Sequence, residues 1–265
     1  MARRAGTRRH AAVGVSQCGR AEVAAVNTLA LPLVTPVPTH VVVIVSGGMD
    51  STVLAYALHR AGSAVTLLSY DYGQRHRREL GYAARTAEAL RVPHDVVDLT
   101  GIVGVLSGSA LTDVRVDVPD GHYTDASMRA TVVPNRNAIM LDVAVARAVS
   151  AGADAVGFGA HAGDHPIYPD CRPAFLAAYE SAARIANEGF LPAGFRVVAP
   201  FIGWSKADIA RLGDVMGVPF AATWSCYKGG QRHCGTCGTC VERREAFEVA
   251  GVTDPTAYVT TPEVS

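Results

Sequence analysis

Val41-Val42-Val43-Ile44-Val45-Ser46-Gly47-Gly48-Met49-Asp50-Ser51 is the stretch that decides the fold class. Its five β-branched residues read as a strand buried on both faces, because no polar residue alternates with them. Residues 46–51 then turn the chain into the apolar-periodic run Thr52-Val53-Leu54-Ala55-Tyr56-Ala57-Leu58, which reads as a helix. Consecutive glycines let backbone N–H groups converge without Cβ interference, and a helix N-terminus adds positive partial charge. Such a turn is an anion cradle and points to a phosphate-bearing ligand. An ordinary strand–turn–helix connection is the plainer alternative, disfavoured by the full six-residue string in this setting.

The residues also narrow the phosphate chemistry. A Walker-A loop carries Gly-Lys-Ser/Thr and a dinucleotide fingerprint carries Gly-x-Gly-x-x-Gly; neither stands at this turn. Ser-Gly-Gly-x-Asp-Ser after a hydrophobic strand instead resembles the PP-loop of ATP pyrophosphatases. The resemblance implies cleavage of ATP between its α- and β-phosphates, with adenylation of a carbonyl or carboxylate oxygen. It assigns ATP binding to Val45, Ser46, Gly47, Gly48, Met49, Asp50, Ser51, Thr52, Val53, Leu54 and Ala55.

Further strand-like runs recur at 64–69, 94–98, 155–158 and 196–199, with helical periodicity at 52–61, 75–90, 137–151 and 174–187. Buried-type strands alternating with helices predict an α/β fold, an open parallel sheet with helices on both faces. Ligands sit beyond the carboxyl ends of such strands, so the loops there should carry the chemistry. Ser205 is a good N-cap, with Asp208 in the N3 place of a capping box, for one more helix running to Met216.

Three regions are expected: a basic arm over 1–39, a nucleotide-binding domain over 40–222, and a metal-binding segment with the C-terminal tail over 223–265. In the arm, five arginines face one acid, Glu22, and Asn27 and Pro32 interrupt any signal-peptide core. It reads as disordered, or as the product of an upstream start codon. Lys plus Arg and Asp plus Glu both number 24, so no global field recruits nucleic acid or a membrane surface. No apolar stretch has the length of a transmembrane helix.

Cys226, Cys234, Cys237 and Cys240 form Cys-x7-Cys-x2-Cys-x2-Cys. Thiolates so spaced can close a tetrahedral site of the kind zinc prefers, with Gly235 and Gly238 relieving crowding. With all four positions filled by protein, that zinc is structural. An ATP-using fold argues for a reducing compartment, the cytoplasm, and against disulfides; an iron–sulfur cluster is the rival occupant. Cys171 reads either as a small buried thiol or as a site thiol touching substrate. Cys18 falls in the arm.

The PP-loop and the cysteine cluster occur with Tyr72-Gly73-Gln74-Arg75-His76, Val133-Pro134-Asn135-Arg136-Asn137, Tyr168-Pro169-Asp170-Cys171-Arg172, Ser205-Lys206 and Thr223-Trp224-Ser225-Cys226-Tyr227. In this order they resemble the 7-cyano-7-deazaguanine synthase family, from residue 41 to 244. Asn135 departs from the pattern, where many members carry Gly; Asn also visits the left-handed region. The resemblance implies an adenine nucleotide α-hydrolase-like fold and an ATP-dependent ligase of queuosine- or archaeosine-type deazapurine biosynthesis. In that reaction 7-carboxy-7-deazaguanine is adenylated and ammonia displaces AMP to give the amide. The amide oxygen is adenylated in turn, and loss of AMP leaves the nitrile. One structural zinc per chain, ATP with Mg²⁺, a homodimer, and no direct contact with nucleic acid or membrane are also implied.

On this scheme Ser46, Asp50, Ser51 and Lys206 are the catalytic candidates. Backbone donors of residues 47–50 suit the developing pyrophosphate charge, Ser46 and Ser51 offer hydroxyls, and Asp50 holds Mg²⁺ or caps the helix. Lys206 meets a phosphate or lies on a solvated helix surface. Arg75 and Arg136 are candidates to grip phosphate or the substrate carboxylate, with a purely structural role also open for Arg136. Asp170 can accept from a guanine-like edge, and Tyr168, Trp224 or Tyr227 can stack on the base. His76, His161 and His165 are proton-carrier candidates, none singled out as the general base. The rivals are a PP-loop enzyme that stops at the amide or joins the acyl group to another amine, a PP-loop tRNA-modifying enzyme, and a zinc-ribbon binding module on a degenerate nucleotide fold. The intact loop opposes the last, and the absence of a Lys/Arg-rich run in 40–265 opposes RNA binding.

Overall fold

The computed structural model describes residues 33–106, 108–122, 129–166 and 168–259, and every element below lies in the unit Leu31–Ser265. The expected basic arm up to residue 32, with Cys18, lies outside the described residues, as does the end of the tail. The strands are β1 (His40–Ile44), β2 (Ala64–Asp71), β3 (His94–Asp98), β4 (Ala155–Gly157) and β5 (Arg196–Val198). They form one wholly parallel sheet in the order β3-β2-β1-β4-β5. The α-helices among the described residues are α1 (Met49–Arg60), α2 (Glu79–Leu90), α3 (Arg136–Ala151), α4 (Pro173–Ala186), α5 (Lys206–Val215) and α6 (Gly238–Ala250).

β1 is the middle strand, which is why it lacks polar alternation. Val42 and Ile44 join Leu141, Ala144, Val145 and Ala148 of α3 and Leu176 and Ala183 of α4 in one core. By strand alternation Val41 and Val43 face the other way. There a Cβ on Gly157 of β4 would lie 3.3 Å from both Leu58 of α1 and Val43. Burying each of these side chains contributes about 1.5–3 kcal/mol. The chain builds outward from β1 to β3, then crosses to β4 and β5. That reversal leaves a crevice beyond the carboxyl ends of β1 and β4, where residues 46–51 begin.

Two boundaries differ from expectation for local reasons. α2 starts at Glu79, not near 75, because residues 74–78 form turns, with Arg77 N donating to Gln74 O and Glu79 N to His76 O. Gln74 ties this turn to the strand end, accepting from Tyr72 N at 2.9 Å and donating to Tyr70 O at 2.9 Å. α6 was not expected at all, since cysteine spacing dominates the reading of that stretch. The capping box of α5 forms as read, with Ser205 Oγ accepting from Asp208 N at 3.2 Å and Asp208 Oδ2 accepting from Ser205 N at 3.1 Å. Asn135 adopts the left-handed conformation at φ 55°.

Candidate active site

A cleft of about 1230 Å³, its open mouth included, occupies the crevice. Gly47 has φ +87°, and a Cβ there would stand 2.3 Å from Glu79 O and 2.8 Å from Ala83 N. The turn can pass between β1 and α2 only as glycine. Gly48 is the N-cap of α1 and no side chain caps that helix, so its first N–H groups face the cleft. Ser46 Oγ and Ser51 Oγ lie 3.3 Å apart, and Ser51 Oγ accepts from Ser46 N at 3.2 Å. Val45, Ser46, Gly48, Met49, Asp50 and Ser51 line the cleft. Thr52, Val53, Leu54 and Ala55 do not: they are buried in the body of α1 and support the turn from behind.

Asp50 is not a helix cap, since Gly48 holds that place and Asp50 sits within the first turn. Its Oδ2 lies 3.5 Å from Lys206 Nζ, while its Oδ1 is buried without a hydrogen-bond partner among the described residues. Lys206 also donates to Glu242 Oε2 at 2.6 Å. Burial alone would lower the lysine pKa, but Asp50, Glu242 and Asp164 outweigh it and hold the ammonium above its ordinary range. Lys206 is therefore a permanent charge at the cleft wall and not a solvated surface residue. Asp164, which sequence reading missed, lines the same wall and accepts from His161 N at 3.2 Å.

Arg136 opens α3 and reaches the cleft beside Tyr72, Tyr168 and Tyr227. A cation at a helix N-terminus opposes the macrodipole, so helix formation does not explain it there. Burial works against its charge, but the three phenols compensate and raise its pKa. Tyr168 shares a 2.9 Å hydrogen bond with Thr131 Oγ1. Asp170 stands in an adjoining recess that also includes Arg136, Asn137 and Tyr168. Arg75 is not among the cleft-lining residues; its Nη2 donates to Asp113 O at 3.1 Å and Val116 O at 2.9 Å, clamping a neighbouring loop. The Trp224 ring packs on Tyr82, His233 and Arg78, so it serves packing more than stacking. Cys171 lines the cleft, but burial pushes its thiol pKa up and Asn137 Nδ2 donates to its sulfur at 3.3 Å. His161 is spent on its own turn, its Nδ1 accepting from Gly163 N.

One pair at the cleft was only half legible. Glu79 Oε2 lies 3.4 Å from His76 Nε2, and Glu79 Oε1 accepts from Gln74 Nε2 at 3.1 Å. Burial pushes the Glu79 carboxyl up to about 8. Burial and then Arg136 push His76 down to about 3, so its ring is neutral. In the sequence Glu79 follows three arginines and resembles a surface carboxylate at a helix start. The spacing of Gln74, His76 and Glu79 around a turn was the available signal.

The four cysteine sulfurs lie within 4.8 Å of one another, Cys234 Sγ and Cys240 Sγ being 3.9 Å apart. A tetrahedral ion with bonds of about 2.3 Å sets its sulfurs about 3.8 Å apart, so this group fits a single metal ion. N–H groups of Cys234, Thr236 and Cys237 donate to the sulfurs at 3.4, 3.4 and 3.2 Å, offsetting thiolate charge. The segment also props the phosphate turn. Trp224 N donates to Gly47 O at 2.8 Å, and Trp224 Nε1 donates to Cys226 O at 2.8 Å. Arg243 of α6, only 1% exposed, donates to Phe220 O, Thr223 Oγ1 and Ser225 Oγ, locking the same stretch.

A parallel sheet of this order, with Ser-Gly-Gly-x-Asp-Ser at its switch point and a charged lysine opposite, defines a PP-loop protein that uses ATP. The chain belongs to the QueC family: the family model described as "Queuosine biosynthesis protein QueC" matches residues 40–251. It is 56% identical to the 7-cyano-7-deazaguanine synthase of Rhizobium johnstonii, over 82% of this chain and 91% of that protein. It is 58% identical to 7-cyano-7-deazaguanine synthase 1 of Mesorhizobium japonicum, over 82% and 92%. Among solved structures, the U34-tRNA thiolase NcsA from Methanococcus maripaludis is 16% identical, with a TM-score of 0.48, covering 88% of this chain and 72% of that one.

Proposed function

We propose that this chain converts 7-carboxy-7-deazaguanine and ammonia into 7-cyano-7-deazaguanine, consuming ATP at both the acid and the amide stage. The observation that carries the reading is a single cleft lined by a pyrophosphate cradle and by a half-buried guanidinium with three phenols beside it. The first suits ATP; the second suits a flat aromatic acid. Backbone donors of residues 46–51 take the charge of the departing pyrophosphate, and Lys206 meets the same phosphates, its Nζ held by Asp50 and Glu242. Asp50, with one buried and unpartnered oxygen, is the residue to hold Mg²⁺, which neutralises phosphate charge when bound. Arg136 grips the carboxylate by bidentate bonds, Tyr168 flanks the base, and Asp170 accepts from its amino edge.

Zinc is the proposed occupant of the cysteine group. The 3.9 Å sulfur spacing suits one ion better than a multi-iron cluster, whose sulfurs bind different irons and stand further apart. Its role is to hold residues 223–265, as a segment appended to a nucleotide-binding part over 40–222. Reduced thiols of this kind suit the cytoplasm, and among the described residues no helix is long and apolar enough to cross a membrane. A homodimer is expected by analytical ultracentrifugation.

The test is incubation with ATP, Mg²⁺, ammonium and 7-carboxy-7-deazaguanine, followed by mass spectrometry. Nitrile with two AMP per product is expected. No AMP release with that acid refutes the reading, and amide without nitrile replaces it with the early-stopping variant. Elemental analysis should find one zinc per chain; iron with visible absorbance overturns that assignment.

A further inference from the structure

Glu79 and Asp164 are the described acidic residues lining the cleft that the roles above leave unused. The described carboxylates lining the cleft are Asp50, Glu79 and Asp164. Asp50 lies 3.5 Å from Lys206, and Asp164 accepts from the His161 backbone. Glu79 has no Lys or Arg within ion-pair distance among the described residues; its carboxyl accepts from Gln74 Nε2 and lies 3.4 Å from the His76 ring nitrogen. It also stands between the two binding determinants. Its own carbonyl abuts Gly47 of the phosphate turn, while its carboxyl feels the charge of Arg136. A carbon whose substituents reach both Arg136 and the adenylate phosphate must pass that space. His76 Nδ1 is buried there without a hydrogen-bond partner among the described residues, and its ring lies 4.8 Å from that of Tyr227.

We propose that Glu79 is the catalytic base that accepts the last N–H proton as the nitrile forms, with His76 as the positioning residue that fixes its carboxyl. The inference rests on the reading of the cleft as a nitrile-forming site. Once the amide oxygen carries the adenylate, its nitrogen sheds a first proton to pyrophosphate or solvent, leaving a neutral imidate. The remaining N–H then breaks. Its proton goes to Glu79 Oε, and its electron pair becomes the third carbon–nitrogen bond. The carbon–oxygen bond breaks in the same step, its pair leaving with AMP. Amide formation has less need of such a base, because the proton shed by the attacking ammonia is already acidic and can pass to AMP or solvent. A carboxyl whose pKa is pushed up by burial to about 8 has the proton affinity this asks for. The groups facing it are Tyr72, neutral His76 and Arg136, none of which titrates near that value.

The experiment compares wild type, E79Q and E79D, each given ATP and Mg²⁺ with either the acid plus ammonium or the 7-amide alone. Gln fits at 79, since it can still accept from Gln74 and donate to His76. E79Q should accumulate amide from the acid and form nitrile from the amide about 10²-fold more slowly. Starting from the amide removes the titration of ammonium. Wild-type nitrile formation should then rise with pH and level off above about 8, as the base ionises, while E79Q stays flat. E79D should recover part of the rate with the same pH dependence. Nitrile formation by E79Q within about threefold of wild type, or equal loss of amide and nitrile formation, would overturn the proposal. Should E79Q fail to fold, a flat wild-type pH profile on the amide overturns it equally. A wild type inert towards both substrates refutes the reading of the cleft itself, and this inference with it.

Discussion

Replacing Gly47 by alanine tests the turn on which the site is built. At φ +87° an L-residue pays about 1–2 kcal/mol for the left-handed conformation alone. The new methyl would also stand 2.3 Å from Glu79 O and 2.8 Å from Ala83 N. Both are backbone atoms of one helix turn and neither can rotate aside, so the start of α2 must move, at an overpacking cost of about 1–3 kcal/mol. The sum, roughly 2–5 kcal/mol, corresponds to a fall in Tm of roughly 5–20 °C for a chain of this size. Gly48 supplies the control. Its φ of −74° suits any residue, and a Cβ there meets the rotatable Ser46 hydroxyl at 3.2 Å and Trp224 O at an ordinary 3.6 Å. G48A should cost less than about 1 kcal/mol. Differential scanning calorimetry of both variants, with AMP release measured in parallel, decides the matter. If G47A melts within error of G48A, the close passage between β1 and α2 is not what confines this turn to glycine.

K206M removes the charge facing the turn and leaves Asp50 and Glu242 opposed, so AMP release should fall about 10²-fold or more, with E242Q milder; equal rates would refute a phosphate role. R136K keeps the charge but loses the bidentate fork, and should raise KM for the acid about tenfold while KM for ATP holds steady. R243M strands Asp254 and three other partners of a buried cation and should cost about 3–5 kcal/mol in urea unfolding. Burial tends to raise the Asp254 carboxyl, but Arg243, Tyr258 and Thr256 outweigh it and hold it below the usual range. The stability it contributes is complete above the ordinary aspartate pKa of about 4 and is lost as pH falls below that, so the gap to R243M should narrow on acidification. Stripping the proposed zinc from the cysteines with a strong chelator should lower Tm and raise KM for ATP together, because Trp224 N supports Gly47 O; an unchanged KM would uncouple the two.

Features written in consecutive residues were legible in the sequence. The phosphate turn, the Ser205–Asp208 capping box and the four cysteines each depend on spacing within a single short stretch, and each formed where its spacing indicated. The sheet order was not, because nothing in a strand's own residues says which neighbour it takes. Partnerships across the chain were equally hidden. Lys206 read as ambiguous until Asp50 and Glu242 closed around it from two other elements. Arg75 and Glu79 exchanged the roles their types suggested. The arginine turned to loop carbonyls, and the carboxylate, tied by Gln74, turned into the cleft. A helix start with three arginines before it carries no mark of which side will be buried.

The hydrogen bond from Trp224 N to Gly47 O has a consequence for how the protein is made. The phosphate turn leaves the ribosome early, but the residue that braces it follows well over half a chain later. At ordinary elongation rates that is roughly ten to thirty-five seconds. During this interval β1, α1 and β2 can assemble, yet the turn lacks its brace and the floor of the cleft is missing. With zinc as the proposed occupant of the cysteines, competence to hold ATP arrives last, when the four thiols emerge and can take up the ion. On that proposal, a cell short of zinc would accumulate chains whose sheet is built but whose nucleotide site is unfinished, so metal supply would act as a check on each new molecule.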